Sequence, residues 1–273
     1  MCILHPYHVN EGKRASDAVV THDGQYCGAI GGLMPAARTD SSVDGLESTL
    51  RLLGGFSLHV DGDPIEIPES CRRLLALLAV HGGRQSRTIV AASLWPERSD
   101  ERAFANLRSS LWRVPRAGQS SLVDVSGHDL AISPRVSVDI VQAERLGWSL
   151  VRDRKASVDR YERALFFEEL LPGWYEDWVI IARERLNQLR LHFLDALATM
   201  LIDTDQLADA LDVALRLVAL DPLRERSQRA LLSVYRAEGS RGQAVRQFNA
   251  YRRLMRETFD CEPSAELVQL ALT

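Results

Sequence analysis

A 34-residue internal repeat near the C-terminus constrains this chain more than any other feature. Leu197, Leu201, Ala210, Ala214 and Leu217 recur at that offset as Leu231, Tyr235, Ala244, Phe248 and Tyr251. A repeat this short cannot bury an apolar face alone, but stacked copies can. The alanines mark positions where two helices cross closely. Pro222 falls where the first copy ends its second helix. The second copy has Arg256 there and Pro263 only later, so its last helix is expected to run on. Upstream, Trp178, Ile181, Ala182, Leu186, Leu189, Phe193, Leu197 and Met200 follow the 3.6-residue period. They predict one long helix with that face buried. From about Val138 the chain reads as nearly all helix.

A 34-residue period with small residues at helix crossings is the tetratricopeptide signature. The preceding segment has a different rhythm. In residues 51–60, Leu52, Phe56, Leu58 and Val60 share one face at period two, a strand signal. The turn Asp61-Gly62-Asp63-Pro64 leads to Ile65 and Ile67, which predicts a β-hairpin. Pro68 and Ser70 open an amphipathic helix that Gly82-Gly83 closes. Ser86 is placed to cap a second helix that stops at Pro96, and Ser99 or Asp100 a third that stops at Pro115. A second hairpin follows, turning at Ser126-Gly127-His128. The expected fold is therefore α+β over residues 46–135, with a leading sheet, three helices and a hairpin wing. Residues 138–273 are expected to form an all-α, tetratricopeptide-like domain. Residues 1–45, rich in Gly, Ser, Asp and Ala, show no period and read as a disordered arm.

Composition narrows the functional classes. The chain has 273 residues and a net charge of −4, so it is not a general polyanion binder. The charge is uneven. Residues 46–135 carry 11 basic and 10 acidic residues, the only net-positive segment. A site-specific binder needs one basic surface, not a basic chain. Of the 33 basic residues only Lys13 and Lys155 are lysine, so the rest are arginine, suited to phosphate and guanine. No apolar run is long enough to span a membrane, and the N-terminus does not read as a secretory signal, so a cytoplasmic protein is expected. Cys2, Cys27, Cys71 and Cys261 lack CxxC spacing, and Cys2 with His5 and His8 falls short of a zinc set. No metal, cofactor or disulfide framework is expected.

The third helix carries the candidate chemistry. On a helical wheel, Phe104, Leu107, Leu111 and Val114 form an apolar stripe. Arg102, Asn106, Ser109 and Arg113 face away from it, Arg108 and Trp112 lie on a flank, and Arg116 follows the break. Arginine pairs with guanine O6 and N7, asparagine with adenine N6 and N7, and all of these side chains can hold phosphates. A short capped helix before and a hairpin after make this a helix-turn-helix with a wing. Ser86 and Arg87, at the start of the second helix, are placed to meet a phosphate.

At this point the chain resembles the SARP or AfsR-like bacterial transcriptional activators. In the first half the likeness rests on residues 50–68, the helix of residues 71–83, the segment 86–96 and the stretch 106–114. In the second half it rests on residues 169–179, Arg183–Leu186, Asp221–Glu225 and residues 244–267. The resemblance implies an OmpR/PhoB-type winged helix followed by a bacterial transcriptional activator domain. It implies promoter double-stranded DNA and RNA polymerase holoenzyme as partners, with two copies side by side on direct repeats. Arg102, Asn106, Arg108, Ser109 and Arg113 would enter the major groove. Ser86, Arg87, Trp112 and Arg116 would hold the backbone, and Gly127 and His128 would form the wing tip. The family's wing usually reads Gly-Tyr-x-Leu, whereas this chain has Gly127-His128-Asp129-Leu130. No phosphate-loop motif or receiver segment is found.

Two rival readings follow from the same residues. Glu168, Glu169, Glu176 and Asp177 cluster near Trp174 and Trp178 and resemble a carboxylate site, yet no nucleophile or metal motif accompanies them. The chain is therefore read as a non-enzyme. The alternative to DNA binding is a tetratricopeptide-type scaffold that contacts only proteins.

Overall fold

The computed structural model describes residues 48–117, 120–153 and 158–272. The expected arm at residues 1–45, with Cys2, His5, His8 and Cys27, lies outside them. The chain begins with strands β1 (Ser48–Arg51), β2 (Ser57–Val60) and β3 (Asp63–Pro64). Helix α1 (Glu69–His81), strand β4 (Gln85–Ser86) and helices α2 (Arg87–Leu94) and α3 (Asp100–Arg113) follow. Next come β5 (Arg116–Ala117), β6 (Ser120–Ser121), β7 (Val123–Ser126), β8 (Asp129–Ile132) and β9 (Val136–Val138). The remainder is helical: α4 (Asp139–Arg152), α5 (Arg160–Ala164), α6 (Asp177–Asp203), α7 (Leu207–Leu220), α8 (Glu225–Ala237), α9 (Arg241–Phe259) and α10 (Ala265–Leu272).

The leading sheet departs from the expected single strand through residues 51–60. Gly54 and Gly55 take φ of 78° and 136°, which ends β1 and turns the chain into β2. A Cβ on Gly54 would also lie 2.9 Å from Glu168 Oε2. The sheet order is β3-β2-β1-β9, with β9 parallel to β1 and the other pairs antiparallel. A second sheet, β4-β8-β7, joins the hairpin to the segment before α2.

Helix α6 is buried on more than one face. Leu186, Leu189, Phe193, Leu194, Leu197, Ala198 and Leu201 are all in the core, but Ile181, expected there, is 70% exposed. Neighbours on several sides explain this: α4, α7 and α8 all pack against α6, so its wrapped C-terminal half keeps no single stripe. The repeat register is present. Ala210, Ala214 and Leu217 on α7 and Leu231 on α8 are almost wholly buried, as are Ala244 and Tyr251 on α9. Helix α7 stops at Leu220, two residues before Pro222, whereas α9 runs on to Phe259. This is a tetratricopeptide-like helical array.

Described residues up to α3 and those from α4 onward belong to one compact unit, Val43–Thr273. The parallel strand β9 feeds directly into α4, and at that point Asp139 is buried. Its carboxylate accepts N–H groups from Leu52 (3.0 and 2.9 Å), Leu53 (2.9 Å) and Ile140 (2.7 Å). Leu171 N–H donates to the Leu52 carbonyl at 2.9 Å and Gly54 N–H to the Glu169 carbonyl at 2.8 Å. Phe56 stacks on Trp174 at 6.2 Å, and Trp174 meets Trp178 edge-on at 6.3 Å. A single hydrophobic cluster runs from Leu50 through this seam to Val234. Among the described residues no helix is long and apolar enough to cross a membrane.

Candidate nucleic-acid interface

Helix α3 is anchored by its buried side. Ala103, Leu107 and Ser110 are inside, and Val114 follows at 9% exposure. Phe104 and Leu111, expected in the stripe with Leu107 and Val114, are only half-buried. The buried line therefore runs through two small residues, Ala103 and Ser110, where α3 packs against α1 and α2. The wheel placed the stripe by its large side chains, of which Leu107 and Val114 are buried, and it left out the two small ones. Cys71 of α1 donates its thiol to the Ser110 carbonyl at 3.4 Å. Burial pushes that thiol's pKa up, while Ser70 and Arg113 pull it down.

The opposite side is open. Arg102, Asn106, Arg108, Ser109, Arg113 and Arg116 are all exposed, and Trp112 is 87% exposed. None of these four arginines has an ion-pair partner among the described residues, unlike Arg84, which pairs with Asp124 at 2.9 Å. Arg102, Arg108 and Arg113 project from α3 itself, and Arg116 from β5 just after it. Asp100 and Glu101 occupy the first turn of α3, where the helix dipole favours them.

Two further elements frame this face. Ser86 caps α2, its hydroxyl accepting the Ile89 N–H at 3.3 Å. Arg87 N–H does not point to solvent; it donates to the His128 carbonyl at 2.8 Å. Its side chain is half-buried, with Nε out of water and unpaired. Gly127, with φ 59°, and His128 form the exposed hairpin turn. Ser99 is the N-cap of α3 but makes no side-chain cap bond.

Two of the four carboxylates singled out near the tryptophans have ion-pair partners among the described residues. Glu169 pairs with Arg183 at 3.1 Å and Glu176 with Arg73 at 2.8 Å. Arg183 also clamps the Pro172-Gly173 turn, donating to the carbonyls of Leu170 (3.1 Å), Leu171 (2.9 Å) and Trp174 (3.1 Å). Arg73 reaches the Leu94 carbonyl at the end of α2 at 2.8 Å, tying α2 to the loop before α6. Sequence reasoning missed Arg73 and Asp139. Both act across more than 20 residues of chain, and neither stands in a local pattern.

Residues 141–273 match the family model of the bacterial transcriptional activator domain. The chain is 27% identical over 260 residues to the regulatory protein AfsR of Streptomyces griseus, covering 87% of this chain and 26% of that protein. It is 25% identical over 232 residues to AfsR of Streptomyces coelicolor, covering 80% of this chain and 23% of that protein. It thus spans about a quarter of the length of these curated relatives. The fold is similar to that of Mycobacterium tuberculosis EmbR, solved in complex with a low-affinity phosphopeptide. The TM-score is 0.68 at 15% identity, covering 82% of this chain and 64% of that one. The chain is thus similar, over most of its length, to SARP-like bacterial transcriptional regulators.

Proposed function

We propose that residues 46–135 act as an OmpR/PhoB-type winged helix that binds promoter double-stranded DNA, and that residues 138–273 serve as the activator domain beside it. The observation that carries this reading is the exposed, ion-pair-free face of α3, with Arg102, Asn106, Ser109 and Arg113 on one side. On this reading α3 lies in the major groove. Arg108 enters it with those side chains, while Trp112 and Arg116 contact flanking phosphates, as do Ser86 and Arg87 at the start of α2. Gly127 and His128 lie at the wing tip. The order of elements, with the hairpin β7–β8 hydrogen-bonded to the cap of α2, supports this arrangement. Two copies on direct repeats, contacting RNA polymerase holoenzyme, would complete an activator.

The test is selection of bound duplexes from a random library by the full chain, followed by a salt titration against selected and scrambled duplexes. A specific complex should emerge, with a steep salt dependence. Failure to enrich any sequence would favour the protein-binding scaffold instead.

A further inference from the structure

Arg190, on α6, is a buried cation without a counter-ion. The residue is 7% exposed. Nη1 donates to Asn187 Oδ1 at 3.2 Å and Nη2 to the Glu168 carbonyl, while Nε has no partner. Among the described residues no carboxylate lies within ion-pairing distance of it. Desolvation pushes its pKa down, and the more distant Glu169 and Glu168 pull it back up. An unpaired buried charge is costly, and structural arginines usually bring their carboxylate with them.

Arg190 also lines a pocket of about 180 Å³ between α6 and the end of α7. The Asn187 and Gln188 amides line it, with Leu191 and Leu220 as its apolar wall and Glu184 and Asp221 as its acidic side. Gln188 is held in place by donating to Glu184 at 2.8 Å. The lining is thus polarised, with a buried cation, two amides and two carboxylates around one small space. Liquid water occupies about 30 Å³ per molecule, so the volume suits a solute of only a few heavy atoms.

We propose that this pocket binds a small amphoteric carboxylate of amino-acid size. Its carboxylate pairs with Arg190 and its ammonium group faces Glu184 and Asp221. Binding supplies the missing counter-ion and sets one ammonium charge against the two carboxylates of Glu184 and Asp221. Arg190 also holds the Glu168 carbonyl, and the next residues of that loop bond to the end of β1 through Gly54 N–H and the Leu52 carbonyl. Occupancy therefore stiffens the loop that bridges the strands and the helical array.

Calorimetric titration of the full chain with glycine, acetate and methylammonium tests the proposal. Glycine should bind saturably, at least tenfold tighter than either half-ligand. Asp221→Asn should weaken glycine severalfold and leave acetate unchanged, and Arg190→Gln should abolish both. Hydrogen exchange at the Gly54 and Leu171 amides should slow when glycine is bound. If Arg190→Gln fails to fold, Asp221→Asn and the exchange measurement still decide. Absence of saturable binding by any of the three probes overturns the site and leaves Arg190 a structural cation. Equal binding of glycine and acetate overturns the amphoteric assignment.

Discussion

The backbone N–H of Arg87 donates to the carbonyl of His128 at 2.8 Å, joining the start of α2 to the turn of the β7–β8 hairpin. That carbonyl is positioned by Gly127, whose φ of 59° an L side chain rarely adopts. A Cβ there would meet nothing within 4 Å, so substitution acts through backbone strain alone. Gly127→Val should cost about 1–2 kcal/mol. Urea unfolding of the full chain measures it; an unchanged midpoint would mean the turn relaxes at no cost.

The exposed face of α3 yields the second prediction. Arg113 and Asn106 lie outside the buried line of Ala103, Leu107 and Ser110, so replacing either with Ala should leave the fold intact. If either reads a base, its loss should weaken specific binding by about 1–3 kcal/mol and relax preference at one position. Loss of a phosphate contact from Arg87 would instead weaken binding to all sequences evenly and reduce the salt slope by about one. Salt titrations of each variant against cognate and scrambled duplexes separate the two patterns. Variants that bind both duplexes like wild type would remove α3 from the interface.

Asp139 makes the seam pH-dependent. Burial raises its carboxyl pKa above the ordinary 3.8, against the pull of the Leu53, Leu52 and Ile140 N–H groups. Between 3.8 and the raised value, the folded chain holds a proton that the unfolded chain has lost. The stability contributed by this group therefore falls as pH rises through that window and is level above it. Asp139→Asn lacks this slope and sets an amide donor against one of the same N–H groups, at a cost of about 1–3 kcal/mol. The gap between wild type and variant should narrow as pH rises through the window. Urea unfolding at a series of pH values checks this, and a widening gap would show that the N–H groups outweigh burial.

Ala214 on α7 is fully buried at the helix crossing set by the repeat. Ala214→Trp should overpack that contact and cost about 1–3 kcal/mol or more. Thermal unfolding reads the loss. A neutral result would mean that the neighbouring helices part easily.

Local and periodic features were legible in the chain itself. The start of α2 at Ser86 and the end of α1 at Gly82 follow from capping and turn chemistry. The repeat register follows from alanines and large apolar residues returning at a fixed interval. The exposed Arg, Asn and Ser positions of α3 follow from one turn-by-turn wheel. Each signal involves residues a few positions apart, or a pattern repeated along the chain, so composition and spacing carry it.

The tertiary structure decided what depends on distant neighbours. The wheel put Phe104 and Leu111 in the α3 stripe with Leu107 and Val114, but packing against α1 and α2 buries Ala103, Leu107 and Ser110 and leaves Phe104 and Leu111 half-buried. Ile181 fits the period of α6 yet faces outward, because packing partners, not periodicity, decide which face is covered. The union of β1 with β9, sealed by the Asp139 carboxylate on N–H groups 87 and 86 residues away, has no local signature. A buried charge is stable only where folding brings donors to it, and those donors become neighbours of Asp139 only once the chain is folded.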